Sequence, residues 1–419
     1  MSQLTILDKQ YDAGPYGFYT QLREQTPVFE FEEMGAWVVT TYEDVTSCLK
    51  RPELFSHESF WDEPVSRHDS NDPAQAYVVD SFSHIMMYKD GNPHTAMRKA
   101  IRGPFAPPKV RSRRPQVENI CRDLLLECRD KGTFDYAKDF ADRLPSMIVA
   151  DYLGIPVEDR EFVRTLSDRF RVVFEPELDG DERAAMLLDV APLVAYLDEL
   201  IVRRRTTPQD DYLSALAGIK EEDGGMTTDE LRGNLMHLLL AGNETTTNLL
   251  SHMFVQLSRT PDMRDDIAAD PDYASAFVEE ALRFEAPLQL IGRKTTADVE
   301  VGGVTIPAGS MVGLGIGSAN RDPERFDRPD EFDPTREDKA HLSFASGAHF
   351  CIGAPLARLE GAVAAEMLAG EFSDLRVADA TPEWKPDLIS RGYLQHLHRA
   401  RPELEGCLLY TSPSPRDRS

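Results

Sequence analysis

Cys351 lies in a run, FASGAHFCIGAPLARLEG (344–361), whose residue types suit a ligating thiolate. Gly347 and Gly353 flank it, Phe344 opens the frame, and His349 stands two residues before the sulfur. The helical pattern APLARLEGAVAAEMLAG follows at once. A sulfur just ahead of a helix meets free backbone N–H groups and the positive end of the helix dipole, and both favour the thiolate. The glycines let the chain turn and approach something flat and large. Such a frame suits a haem with Cys351 as its axial ligand. The plainer alternative is a cysteine buried for packing ahead of a helix.

A second set of residues interrupts the longest periodic stretch, TTDELRGNLMHLLLAGNETTTNLLSHMFVQLS (227–258). As one helix it would span roughly 48 Å at ~1.5 Å per residue, enough to cross the molecule. Thr227 or Thr228 can cap its start, with Glu230 close behind. Its centre is poor helix material: Ala241, Gly242, Glu244 and three threonines, 245–247. Local rules broken in mid-helix mark a functional site. Gly242 leaves room for a flat ligand and a diatomic molecule. The Thr245 hydroxyl can loosen the helix ladder and hold a hydrogen bond, and Glu244 can pass protons inward. The alternative is a kinked core helix.

Further pairs support these two. His94 and Arg98 are four apart in PHTAMRKAIRGPF, so they share a helix face on which two cationic donors suit two carboxylates. Glu280 and Arg283 are three apart at the end of AFVEEALRFEAP and can pair. From Arg98 to Arg114 there are seven Lys or Arg and no acid, in a chain of net charge −26. That run suits either a solvated stretch or a docking patch for an acidic partner.

The elements that must position these residues are mostly helices. Helical patterns fall at 15–26, after a hairpin VFEF/AWVVTT at YEDVTSCLKR, and at about 116–131, 139–154, 158–174 and 183–206. Residues 55–90 lose clear periodicity, and their aromatic and Met ends suit a cavity wall. Short strands follow Pro287, and 386–399 read as a terminal hairpin. With 419 residues and 41% hydrophobic content, the chain can build a large core. Its acidity disfavours nucleic-acid binding. No run of eighteen apolar residues occurs, which predicts no membrane span. Cys48, Cys121 and Cys128 read as core residues, and the five cysteines show no pairing pattern, which fits a reducing, cytoplasmic setting. Residues 1–406 read as one domain. The last residues, 407–419, are Ser/Pro/Arg-rich and read as a non-native or disordered tail.

The Cys351 frame, AGNETT, Glu280-x-x-Arg283 and the His94/Arg98 helix come in the order found in the cytochrome P450 family. The chain resembles soluble bacterial members over residues 10–404. The resemblance implies a mainly α fold with a small β lobe and a long central helix over haem b. It implies Cys351 as the iron ligand, and a haem cradle of Phe344, Gly347, His349, Gly353, Ala241 and Gly242. His94, Arg98 and Arg293 would hold the propionates. Glu244 and Thr245 would serve oxygen activation, with Glu280 and Arg283 bracing the haem loop. Phe82, Ile85, Leu238, Leu288 and Ile291 would form the substrate pocket. It further implies a monooxygenase acting with dioxygen on a small apolar substrate. A separate ferredoxin and its NADH- or NADPH-dependent reductase would supply electrons. A peroxide-driven peroxygenase or a non-enzymatic haem sensor are the competing readings.

Overall fold

The structure is a computed structural model that describes residues 14–32, 35–59, 72–172, 180–373, 375–377, 384–385, 387–393 and 399–402. The expected tail, 407–419, and residues 386 and 394–398 of the expected 386–399 hairpin lie outside the described residues.

A sheet of five strands, counted among the described residues, forms the smaller lobe. The Val28–Phe31 and Ala36–Val39 hairpin pairs antiparallel, Val28 opposite Val39 and Phe31 opposite Ala36. Ala36–Val39 then runs parallel to Met311–Gly315, joining segments far apart in sequence. Leu290–Thr295 lies antiparallel beyond it and carries Arg293, and Phe55–Ser56 closes the far edge. Val39, Val45, Cys48, Leu49, Val312 and Leu314 make this lobe's core, where Cys48 packs as a small hydrophobe.

The helical body holds the larger core. Helices at Arg114–Lys131, Arg143–Leu153, Arg160–Val172 and Gly180–Thr206 match the sequence patterns within a few residues. Cys121 and Cys128 lie fully buried on the inner face of the first. The stretch that lost periodicity contains a helix, Pro73–Ser83. Asp72 caps it by accepting from Ala74 N (2.8 Å) and Gln75 N (3.3 Å), and Pro73 occupies its first turn.

The long central helix is two helices in line, Thr228–Ala241 and Glu244–Arg259. Thr227 and Glu230 form the capping box at its start. The break falls at Gly242 and Asn243. The Thr245 hydroxyl takes the Ala241 carbonyl at 3.0 Å, and Asn243 stands at the start of the second half with no side-chain cap. The cysteine helix, Ala354–Ala369, packs against the second half and against Pro271–Phe284, and most of its residues are buried.

Candidate functional site

A largely apolar cavity lies between the two halves of the central helix and the cysteine loop. Its wall includes Ala241, Gly242 and Thr245 on the helix, and Phe344, His349, Cys351 and Gly353 on the loop. The loop is shaped by Gly347 at φ +75°, where a Cβ would stand 2.6 Å from the Leu49 carbonyl. Gly347 therefore serves the turn and the close passage of the chain, and it is not in the cavity wall. Cys351 N donates to Phe344 O at 2.9 Å, which fixes the loop's exit. Beside Gly353 the nearest atom a Cβ would meet is Cys351 Sγ, at 3.8 Å. Gly242 lines the cavity, but a Cβ there would aim at Val149 Cγ2, 2.8 Å away. Its missing side chain admits Val149 against the break.

Cys351 is free, and its sulfur is open to the cavity. Burial from bulk water pushes its thiol up. The Gly353 and Ala354 N–H groups and the Arg98 and Arg358 charges pull the other way without overcoming it. The N–H groups at the helix start pull toward the thiolate, as the sequence leads one to expect, with desolvation as the larger, opposing influence. A coordinated metal removes the proton outright.

One end of the cavity gathers cationic side chains. His94 and His349 face each other at a ring separation of 4.1 Å, and His57 meets His349 at 5.0 Å. Arg98 and Arg293 line the same cavity. Arg98 donates to the carbonyl of Phe350, the residue before Cys351. Burial lowers Arg293 to about 10, so it stays charged. Burial, then the charges of His349 and Arg98, lower His94 to about 4. Asp90 orients this end: it accepts from Ser56 Oγ (2.6 Å) and His57 N (3.1 Å), and pairs with His349 Nε2 (3.3 Å). Burial raises its carboxyl, but the hydrogen bonds from His349, Ser56 and Glu58 N win and hold it well below the usual range. His57 and Asp90 belong to this end of the cavity, and sequence reasoning missed them. Their only signal was the polar content of 57–90.

These residues fit a flat dianionic cofactor. His94 Nε2 is sealed from solvent without a partner among the described residues. Glu360 is the one acidic residue in the wall among the described residues, and burial pushes its carboxyl well above the usual range. A buried end with two guanidiniums and three imidazoles, where the Asp90 carboxylate is already engaged by Ser56, His57, Glu58 and His349, suits carboxylates better than cations.

Thr245 faces this cavity and Glu244 does not. The Glu244 carboxylate accepts from Ser390 Oγ at 3.2 Å and lies 3.6 Å from Lys385 Nζ, beside a second, polar cavity on the other side of the helix. Leu238, Leu288 and Ile291 line the first cavity. Phe82 and Ile85, expected in its wall, pack into the core instead, because the turn Met86–Tyr88 swings Met86 and Met87 into their place.

Glu280 and Arg283 form a buried pair, Nε to Oε2 at 2.8 Å and Nη2 to Oε1 at 2.6 Å. Arg283 also donates to the carbonyls of Asn320 (3.0 Å), Pro329 (2.9 Å) and Glu331 (3.1 Å). Glu280 accepts from Asp333 N at 2.9 Å. This hub fastens the segment leading into the cysteine loop.

Fold and site together define a helical protein built to hold a planar, doubly anionic cofactor against a cysteine. The Cytochrome P450 family profile matches residues 68–373. The 6-deoxyerythronolide B hydroxylase of Saccharopolyspora erythraea is 36% identical over 395 residues, covering 91% of this chain and 95% of that protein. The vitamin D(3) 25-hydroxylase of Pseudonocardia autotrophica is 35% identical over 385 residues, covering 90% and 92%. The crystal structure of P450BioI in complex with hexadec-9Z-enoic acid ligated acyl carrier protein superposes with a TM-score of 0.84 at 29% identity, covering 95% of this chain and all of that one. The chain belongs to the cytochrome P450 family of haem-thiolate oxidoreductases.

Proposed function

We propose that this protein is a monooxygenase that inserts one oxygen atom of dioxygen into an apolar organic substrate. Haem b is its cofactor, and a separate ferredoxin and ferredoxin reductase, drawing on NADH or NADPH, supply the electrons. The observation that carries this reading is the single cavity that holds the Cys351 sulfur, the Thr245 hydroxyl and a cationic end at once. When bound, a thiolate-ligated haem supplies the activation of dioxygen.

The chain's own residues do the rest. Cys351 is the ligand. His94, Arg98, Arg293 and His349, joined by His57, hold the propionates. Leu238, Leu288, Ile291, Met86 and Met87 bind the apolar substrate and exclude water. Thr245 offers a hydroxyl to the reacting oxygen, and Glu244 relays protons from the far side of the helix break. Apolar substrates of some size are supported by the two relatives named as hydroxylases of 6-deoxyerythronolide B and vitamin D(3).

Lys99, Arg102, Lys109 and Arg111 are exposed on the face next to Arg98, and support docking of an acidic ferredoxin there. A cytoplasmic location is supported by the free cysteines among the described residues. No helix among them is long and apolar enough to cross a membrane.

The test is the absorption spectrum of the reduced, carbon-monoxide-bound holoprotein. A Soret band at about 450 nm is expected from thiolate ligation. A band at about 420 nm in fresh protein would remove Cys351 from the ligand role and overturn the reading.

A further inference from the structure

His237 lies on the first half of the central helix and its ring lines the cavity that Thr245 and Cys351 share. It is out of place there. The neighbouring wall positions Leu238, Ala241, Met86 and Met87 are apolar. Its Nδ1 is sealed from solvent without a partner among the described residues, so Nε2, the ring nitrogen not sealed in this way, is the one the cavity can reach. Asn234, the polar wall residue one turn earlier, is fully engaged by comparison. It accepts from Met86 N at 3.0 Å and donates to Glu230 O at 2.7 Å and His84 O at 3.2 Å. Asn234 therefore ties the helix to the chain around it, whereas His237 brings an imidazole to the cavity with no hydrogen bond to spend it on. The Tyr88 ring stands 6.3 Å away, tilted.

Burial lowers His237 to about 4, so it presents a neutral imidazole, with one N–H donor and one bare nitrogen acceptor. Leaving such a group unpaired in an apolar wall costs stability. A leucine would pack there without that cost. His237 also has a defined place relative to the chemistry. It stands on the first half of the central helix, across the break at Gly242 and Asn243 from Thr245.

We propose that His237 is a specificity-determining residue that binds a neutral oxygen function of the substrate, a hydroxyl or carbonyl, remote from the carbon that is oxidised. This deepens the monooxygenase reading and rests on it. The substrate class is an extended apolar skeleton with one remote uncharged oxygen. Unadorned hydrocarbons leave the imidazole unpaired, and carboxylates find no charged partner at that wall. A site built to pair a polar group discriminates strongly against ligands that lack it, because the pocket's own polar atom is then stranded.

The experiment measures binding, which does not require turnover. Haem-loaded protein is titrated by calorimetry with two matched pairs: androstane against androstan-3-ol, and dodecane against dodecan-1-ol. The wild type is compared with His237→Leu and His237→Gln, each checked for haem content and for an unchanged reduced carbon-monoxide spectrum. The expected result is that the oxygenated member of at least one pair binds the wild type about ten-fold more tightly, equivalent to 1.4 kcal/mol. His237→Leu should shrink that preference to two-fold or less by strengthening the hydrocarbon and weakening the alcohol, and His237→Gln should keep part of it. Equal binding within both pairs, failure of all four probes to bind, or a preference that survives His237→Leu would overturn the proposal. The spectrum separates this outcome from failure of the monooxygenase reading. A normal thiolate band with no His237-dependent preference sinks only the substrate assignment, and an abnormal band in the wild type sinks both.

Discussion

Replacing Glu280 by Gln should release the cysteine loop before it unfolds the protein. Glu280 and Arg283 are 3% and 1% exposed, so neither charge is screened by water. The five N–H groups of a guanidinium meet five acceptors here: both Glu280 oxygens and the carbonyls of Asn320, Pro329 and Glu331. Glu280→Gln strands the Arg283 charge and turns one acceptor into a donor aimed at it, and removing one partner of a buried pair costs about 3–5 kcal/mol. An apolar double replacement, Glu280→Leu with Arg283→Met, is often benign for an isolated ion pair. Here it would leave three backbone carbonyls and Asp333 N without their partners, at about 1–3 kcal/mol each. The double variant should therefore be no more stable than Glu280→Gln. The assay is urea unfolding followed by circular dichroism, with the carbon-monoxide spectrum recorded at each step. Thiolate ligation should be lost at lower urea than helicity, since the hub holds the approach to Cys351. A Glu280→Gln variant within about 1 kcal/mol of wild type, or a fully rescued double variant, would refute the five-point account.

Three other outcomes follow from the same geometry. Thr245→Ala should leave the spectrum intact while product formed per dioxygen consumed falls by roughly ten-fold or more; unchanged coupling in an oxygen-electrode assay would remove Thr245 from the chemistry. Arg293→Leu deletes a buried guanidinium at the cationic end and should speed haem loss to a scavenging apoprotein by roughly ten-fold or more, the worth of a charged hydrogen bond; an unchanged rate would place the propionates elsewhere. Burial, with the Arg391 charge assisting, holds His252 at about 4 against 6.5 for the free group, so the unfolded chain binds the extra proton between those values. Stability is then full above 6.5 and falls on acidification toward 4, by about 2 kcal/mol at pH 5 from this residue; His252→Phe should flatten that slope in urea midpoints at pH 7 and 5, and an unaltered slope would sink the assignment.

What could be read from the chain was what the chain encodes locally. The cysteine frame is one turn followed by a helix, so its meaning survives without a fold. The capping box at Thr227 and Glu230 is likewise complete within four residues. The helix at Pro73–Ser83 was legible at its start, where Asp-Pro gives a cap and a first turn, but its apolar residues cluster as Tyr77, Val78 and Val79 and blur the helical period. The five-strand order was not legible, because the parallel pairing of Ala36–Val39 with Met311–Gly315 is decided by packing across the whole chain. The cationic end was half legible. His94 and Arg98 share a helix face, but His57 and Asp90 reach His349 only in space. The pocket wall was misassigned at Phe82 and Ile85 for a related reason. An apolar residue next to a cavity and one a turn behind it look the same in sequence, and the short turn at 86–88 decides between them.

The break in the central helix shows the same division at the place that matters most. Its existence was visible as a cost: glycine, a run of threonines and an acid where a buried helix wants leucine and alanine. Its use was not. Successive helical residues point about 100° apart, so an acid and an alcohol side by side in sequence cannot share one wall if the helix separates two spaces. Thr245 takes the Cys351 cavity, and Glu244 takes the polar space with Ser390 and Lys385. A regular helix between them would seal one space from the other with a closed ladder of hydrogen bonds. At Gly242 and Asn243 that ladder is loosened, with the Ala241 carbonyl drawn to the Thr245 hydroxyl. In the monooxygenase we propose, the residues that weaken the helix would let protons pass from the Glu244 side to the Thr245 hydroxyl, and the substrate pocket stays apolar because the acid is kept out of it.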